Sequence, residues 1–302
     1  MIQSETETVV ERAPAKVNLW LHVTGRRTNG YHELDSLVTF ASIGDGLTAR
    51  RSATLSLDIA GPFAETLAAG TVTETGAPAD NLVLRAARSL ASAVDRQACA
   101  AFRLEKNLPV ASGVGGGSAD AAAALRALTR LWGLDVAREE IAAIGLSLGA
   151  DIPACLASRS THMSGVGEIL QPVSNGLPAL PAVLVNPRVP VSTAAVFAAL
   201  NGEFTTPAAA PSEFADAEAL LRVLEQMRND LEAPATRIAP AIGAALDALR
   251  RCDGVRLARM SGSGATCFGI FDTPAAAQTA AQRIHGDAPD YWVADCLLGD
   301  RP

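Results

Sequence analysis

Between Pro109 and Ala124 the chain reads Pro-Val-Ala-Ser-Gly-Val-Gly-Gly-Gly-Ser-Ala-Asp-Ala-Ala-Ala-Ala. Four glycines, Gly113, Gly115, Gly116 and Gly117, fall within five positions. Glycine lets backbone N–H groups turn toward one point and lets a ligand come close. An alanine-rich helix follows at once, with Leu125, Leu128 and Leu131 on one face. A helix start carries unpaired N–H groups and a partial positive charge. Loop and helix together make an anion site suited to a triphosphate. Ser118 could cap the helix or touch a phosphate-bound magnesium. A flexible loop before an ordinary helix is the plainer alternative, and it explains four clustered glycines less well. The loop is not a P-loop, because no Gly-Lys-[Ser/Thr] follows, and no acidic residue closes a parallel βαβ unit at dinucleotide spacing.

Phosphoryl transfer to a hydroxyl needs positioning, electrostatics and a group that accepts the hydroxyl proton. Two residues have the right chemistry. Lys16 is the one charge in Ala13-Pro-Ala-Lys-Val-Asn-Leu19. It reads equally as an edge gatekeeper or as an inward functional cation. Asp151 lies in Leu148-Gly-Ala-Asp-Ile-Pro-Ala154, where an N-cap ahead of Pro153 is the simpler reading. The two roles are compatible, since a helix start can hold a carboxylate rigidly, and a nearby ammonium would keep it ionised. Tyr31-His32 follows an Asn29-Gly30 turn and could stack on a heterocycle, or simply be loop aromatics. A second Gly/Ser turn, Met260-Ser-Gly-Ser-Gly-Ala-Thr266, is by itself an ordinary hairpin signal.

These residues need elements to hold them. Strands are expected over Thr8–Thr24, Leu34–Ala41, Leu47–Ile59 and Ala98–Glu105, with Leu55–Ile59 alternating apolar and polar. Asp80-Asn81 would cap a helix over Leu82–Val94, and the helix after the Gly-rich loop would end at Gly133. Strands follow around His162–Val173 and Ala182–Asn186. The segment Gly202–Ser212, rich in Thr, Pro and Ala, reads as a flexible loop. Helices near Asp216–Met227, Ala239–Arg251 and Pro274–Ile284 flank a strand–turn–strand over Val255–Phe271. This mixture predicts an α+β fold in two domains, 1–165 and 166–302.

Composition narrows the function. The 302 residues suffice for two domains, and 49% hydrophobic against 19% charged residues calls for a packed protein. A net charge of -7 without a long basic run argues against a nucleic-acid partner. No uninterrupted apolar run suggests a membrane span, and Met1–Arg12 lacks the pattern of a signal peptide. Five cysteines without a C-x-x-C pair read as reduced thiols of a cytoplasmic protein.

The segments Ala13–Leu19, Gly30–Leu34, Asp80–Leu82, Leu108–Ala124, Gly149–Pro153, Gly165-Val-Gly-Glu168, Asn229-Asp230 and Ser261–Gly264, in this order, resemble the GHMP kinase family. That family includes galactokinase, homoserine kinase and mevalonate kinase. Gly30-Tyr-His and Gly165-Val-Gly-Glu168 point to members acting on a cytidine diphosphate-linked methylerythritol. The resemblance implies an N-terminal ATP-binding domain like ribosomal S5 domain 2 and a ferredoxin-like C-terminal domain. It implies that Pro109, Val110, Ala111, Ser112, Gly113, Val114, Gly115, Gly116, Gly117, Ser118 and Ala119 wrap the ATP phosphates, with Asn81 (after Asp80) and Lys106 near the nucleoside. Asp151 would take the proton of the substrate's 2-hydroxyl, and Lys16 would support its charge. Tyr31 and His32 would hold the cytosine, with Asn18 and Thr193 nearby. Mg²⁺ would arrive with ATP, since no acidic cluster suggests a protein site of its own. Ala119 departs from the pattern, standing where many relatives carry a second Ser. The 202–212 stretch matches nothing in the family, and oligomeric state is not indicated.

Overall fold

The structure is a computed structural model that describes residues 7–70, 81–200, 202, 204–207 and 211–300. Asp80 and part of the 202–212 stretch lie outside the described residues. By contacts the chain forms two compact units: Met1–Ala15, Gly44–Val110 and Gly115–Ala157 in the first, and Lys16–Ile43, Ala111–Val114 and Ser158–Pro302 in the second. The two units interleave along the chain. Strands β1 (Thr8–Arg26) and β2 (His32–Arg50) each contribute to both units.

In the first unit, β3 (Ser56–Ala60) is followed by α1 (Ala64–Gly70), α2 (Leu82–Ala93), β4 (Ala101–Glu105), α3 (Gly116–Leu131), α4 (Arg138–Leu148) and α5 (Ile152–Ala157). β3 runs parallel to β4, which pairs antiparallel with Gly46–Arg50 of β2. The two strands expected over 34–41 and 47–59 are instead one long β2 and a short β3. At Gly44, a Cβ would lie 2.3 Å from the Ala13 carbonyl oxygen, so only glycine lets the backbones come this close. α3 packs against α2 and α5, and nearly every residue from Ala119 to Leu128 is buried. Its alanines allow that close approach on several sides. At Gly145 of α4, a Cβ would meet Ile152 of α5 at 2.8 Å, which is why this helix pair also uses small residues. α4 was not expected from the sequence, whereas α5 begins where an N-cap at Asp151 ahead of Pro153 placed a helix start.

In the second unit come β5 (Thr161–Gly165), β6 (Ile169–Pro172), β7 (Leu180–Asn186), α6 (Thr193–Ala198), α7 (Ala217–Gln226), α8 (Glu232–Ile238), α9 (Ala241–Arg250), β8 (Val255–Met260), β9 (Cys267–Phe271), α10 (Pro274–Asp287) and β10 (Trp292–Leu298). The strands order as β2-β10-β7-β9-β8, with β5 on β2 and β6 on β5. α9 and α10 pack on this sheet, burying Val183, Val185, Ile242, Leu246, Phe271, Ala277 and Ile284 in one core. Thr273 caps α10 by accepting the Ala276 N–H, with Pro274 opening the helix. The buried Arg259 donates to the carbonyls of Leu19, Leu224 and Met227, satisfying the end of α7. All five cysteines are free thiols, and burial pushes Cys296 up to about 12.

Candidate active site

The Gly-rich segment starts where β4 ends. Gly115 is the N-cap of α3, with φ 63° and no side chain capping the helix. The N-cap residue thus offers no side-chain acceptor to the first N–H groups of α3, the arrangement an anion can complete. Gly117 is exposed and Ser118 half-buried, so this end of the helix is open to a ligand. Pro109 and Ala119 are buried and Val110 half-buried at the two ends of the segment. Among the described residues no group of three or more His, Cys, Asp or Glu side chains could hold a metal ion.

Beneath the segment lies a cluster of charges. Lys106 is 2% exposed, and its Nζ stands 2.5 Å from Asp45 Oδ2 and 2.7 Å from Asp120 Oδ2. Burial opposes the ammonium, but Asp120 and Asp45 outweigh it and raise its pKa. The Lys106 N–H donates to the Ala60 carbonyl, and its carbonyl accepts from the Phe63 N–H. Ammonium and main chain are thus engaged inside the first unit. Asn81 caps α2 by accepting the Val83 N–H at 2.9 Å. Asp151 is half-buried just before α5, and its carbonyl accepts from the Cys155 N–H. Local geometry therefore places it at a helix start, where the simpler reading had it.

The middle of the loop, Ala111–Val114, belongs to the second unit, where the second Gly/Ser turn braces it. Ser261 Oγ donates to the Gly113 carbonyl at 3.0 Å, and the Thr266 N–H donates to the Ser112 carbonyl at 3.0 Å. Gly113 has φ 76°, and a Cβ there would lie 2.7 Å from the carbonyl oxygens of both Ser261 and Gly264. Only glycine fits that position. Asn229 holds the turn from behind, donating to the Met260 and Gly262 carbonyls. A hairpin turn that is unremarkable in sequence thus shapes the Gly-rich loop.

Lys16 is 4% exposed on β1, and its N–H donates to the Val114 carbonyl at 2.9 Å. Two residues on, the Asn18 N–H donates to Ser261 Oγ, and its Nδ2 donates to Ser36 Oγ. Asn18 Oδ1 is buried with no partner among the described residues, and it lies 3.6 Å from the Cβ position of Gly262. Thr193, at the start of α6, shares a 2.8 Å hydrogen bond with Ser263. Asn18 and Thr193 therefore meet the same turn. His32 stacks on Phe197 of α6, with centroids 4.8 Å apart at 22°. Burial, and then Arg26, lower its pKa. Tyr31 is 64% exposed, and its N–H donates to Asn29 Oδ1. Phe197 and Ser263 were not singled out from the sequence. Phe197 needed α6 to be recognised first.

Gly165-Val-Gly-Glu168 acts on the same region. Glu168 curls back to accept the Val166 N–H and pairs with Arg27 at 2.9 Å. Arg27 also pairs with Glu33 at 3.2 Å, and its N–H donates to the Tyr31 carbonyl. The turn that presents Tyr31 and His32 is thereby tied down.

The GHMP kinases N terminal domain matches residues 81–159, and the GHMP kinases C terminal domain matches 212–289. A 4-diphosphocytidyl-2-C-methyl-D-erythritol kinase of Bradyrhizobium diazoefficiens is 49% identical over 96% of this chain and 98% of its own. One of Methylorubrum extorquens is 52% identical over 95% of this chain and 98% of its own. A crystal structure of 4-(cytidine 5'-diphospho)-2C-methyl-D-erythritol kinase superposes with TM-score 0.78 at 33% identity, covering 97% of this chain and 100% of that one. The chain belongs to the GHMP kinases, and among them to the 4-diphosphocytidyl-2-C-methyl-D-erythritol kinase family. It is a small-molecule kinase with the α+β fold of that family. No helix among the described residues is long and apolar enough to cross a membrane.

Proposed function

We propose that the protein transfers the γ-phosphoryl group of ATP to the 2-hydroxyl of 4-diphosphocytidyl-2-C-methyl-D-erythritol, a step of non-mevalonate isoprenoid precursor synthesis in the cytoplasm. The observation that carries this reading is the braced Gly-rich loop ahead of an uncapped α3, in a chain whose full-length relatives bear that name. The 2-hydroxyl oxygen attacks the γ-phosphorus, the bond to the β-phosphate oxygen breaks, and ADP leaves. Asp151 accepts the hydroxyl proton, and Lys16 stabilises the charge on the carboxylate and the phosphoryl group. The segment 109–119 receives the phosphates through main-chain N–H groups, and Asn81 lies beside the nucleoside. His32, backed by Phe197, and Tyr31 receive the cytosine, while Asn18 Oδ1 offers a buried acceptor to a substrate hydroxyl. Mg²⁺ accompanies ATP and neutralises phosphate charge.

ATP consumption by the purified protein with Mg²⁺ is measured with the cytidyl substrate, beside homoserine and mevalonate. Turnover with the cytidyl compound alone supports the reading. Turnover with another of these alcohols keeps the kinase and overturns the substrate. Asp151→Asn should lose turnover by about a hundredfold or more while ADP binding is retained. A normally active Asp151→Asn enzyme would remove Asp151 as the base.

A further inference from the structure

The buried charges under the Gly-rich segment take no part in the chemistry above, yet their geometry concerns that segment alone. Asp45, on β2, accepts two main-chain N–H groups at Oδ1, from Asn107 at 2.6 Å and Leu108 at 2.8 Å. These are the residues that lead into the loop. Its other oxygen holds Lys106 Nζ, and the same ammonium holds Asp120 in the first turns of α3, on the far side of the loop. A Cβ on Gly116 would lie 3.1 Å from Lys106 Nζ, so the ammonium sits directly under the helix start. Asp120 Oδ1 has no partner among the described residues, and the other oxygen, Oδ2, accepts from Lys106 Nζ at 2.7 Å.

We propose that Asp45, Lys106 and Asp120 are positioning residues for the nucleotide: one buried ion cluster that clamps the entry strand and the exit helix of the phosphate loop in a fixed relation. The proposal rests on reading that loop as the ATP phosphate site. Buried ion pairs are poor devices for stability alone, since apolar replacements are often at least as stable. They do fix geometry, because each oxygen and proton has one place to go. Fully ionised, the cluster would carry one net negative charge beneath an anion site. Burial pushes Asp120 up to about 7 against the pull of Lys106, with Asp45 adding to the rise, and this lowers that opposition near neutral pH.

The test compares wild type, Asp120→Asn, Asp120→Leu and the core control Leu128→Val as full chains. Each is assayed for KM of ATP, KM of the cytidyl substrate, kcat and melting temperature. The clamp predicts a graded effect on ATP alone. Asp120→Leu should raise the ATP KM about tenfold or more and Asp120→Asn about threefold, with the other KM moving less than about twofold. Leu128→Val should lower the melting temperature without moving the ATP KM. A folded Asp120→Leu enzyme with an unchanged ATP KM, or with both KM values rising together, overturns the proposal. Should Asp120→Leu not fold, amide hydrogen exchange of nucleotide-free Asp120→Asn decides. Faster exchange at 107–108 and 113–119, with α10 unchanged, supports the clamp, and unchanged exchange there overturns it. Wild type that consumes no ATP with any alcohol would sink the kinase reading instead, and the exchange comparison would still judge the clamp.

Discussion

Two clusters in this protein have the same composition, one cation between two carboxylates, and each ties down a functional turn. Lys106 sits between Asp45 and Asp120 under the Gly-rich loop, with side chains 2%, 0% and 4% exposed. Arg27 sits between Glu33 and Glu168 beside the Tyr31-His32 turn, with side chains 36%, 46% and 25% exposed. The carboxylates respond in opposite directions. At Asp120, desolvation outweighs the neighbouring ammonium and the pKa rises to about 7. At Glu168, partial burial works the same way but loses to hydrogen bonds from its own N–H, Arg27 and the Val166 N–H, and the pKa falls. A cation beside an acid does not by itself decide the acid's ionisation; access to water does. The buried cluster should therefore be expensive to break and insensitive to salt, the surface cluster inexpensive and screened.

Removing the buried cation is the strongest way to test that contrast. Lys106→Met keeps the length of the side chain and leaves two carboxylates without their cation. Breaking a buried pair this way costs about 3–5 kcal/mol, to be read from urea unfolding. Neutralising the acids as well, in Asp45→Asn/Lys106→Met/Asp120→Asn, should recover most of the loss, because no buried charge is then uncompensated. A loss under about 1 kcal/mol for Lys106→Met would mean that water reaches the cluster and that the two sites do not differ in kind.

A pH series sharpens the same point. Asp120 has a folded pKa near 7, above the usual value of about 4 for an unfolded Asp. Between those values the folded state binds the extra proton. Its contribution is therefore most favourable below about pH 4 and is lost as pH rises through about 7. Glu168, held below its usual range, contributes above its unfolded pKa and loses that contribution as pH falls. Relative to wild type, Asp120→Asn should thus gain stability between pH 5 and 8, as read from urea midpoints. A gap that stays constant over that window would show that Asp120 is fully ionised throughout, like Glu168.

How much of this was legible in the chain follows from how local each signal is. The Gly-rich loop with α3, the β8–β9 hairpin and the β1 strand all rest on neighbours in sequence, and each is found where periodicity and turn residues place it. β10 was not expected, because Trp-Val-Ala-Asp-Cys-Leu-Leu lacks clean alternation, yet it lies between β2 and β7. Its place depends on pairing with strands far away in the chain. The same holds at the site. Asn81 and the loop glycines announce themselves through local geometry. Asp45 is 61 residues from Lys106, and Phe197 meets His32 only once α6 is docked. Lys106 itself was singled out for a ligand, and only the three-dimensional contacts show its ammonium committed to two acids. The 261–264 turn carried a weak signal, because its partner, the backbone of Gly113, leaves no mark beyond one more glycine.

The smallest expected effect belongs to the surface cluster. Glu168 lies over Gly165, where a Cβ would come within 2.4 Å of its Oε2, and its carboxylate reaches Arg27. Glu168→Gln keeps the shape and one hydrogen-bond acceptor while removing the charge. Because Arg27 and Glu33 remain paired in water, the urea midpoint should not move measurably. The Tyr31-His32 turn should hold its position less firmly, so the KM of the cytidyl substrate should rise about two- to threefold while the ATP KM stays the same. Added salt should reduce the difference between variant and wild type, since the contact it removes is screened. An unchanged substrate KM would mean that the turn holds itself, through the Tyr31 N–H on Asn29 and the Gly30 N–H on the Arg27 carbonyl. The surface cluster would then be an ornament of the fold, and the contrast with the buried one would be complete.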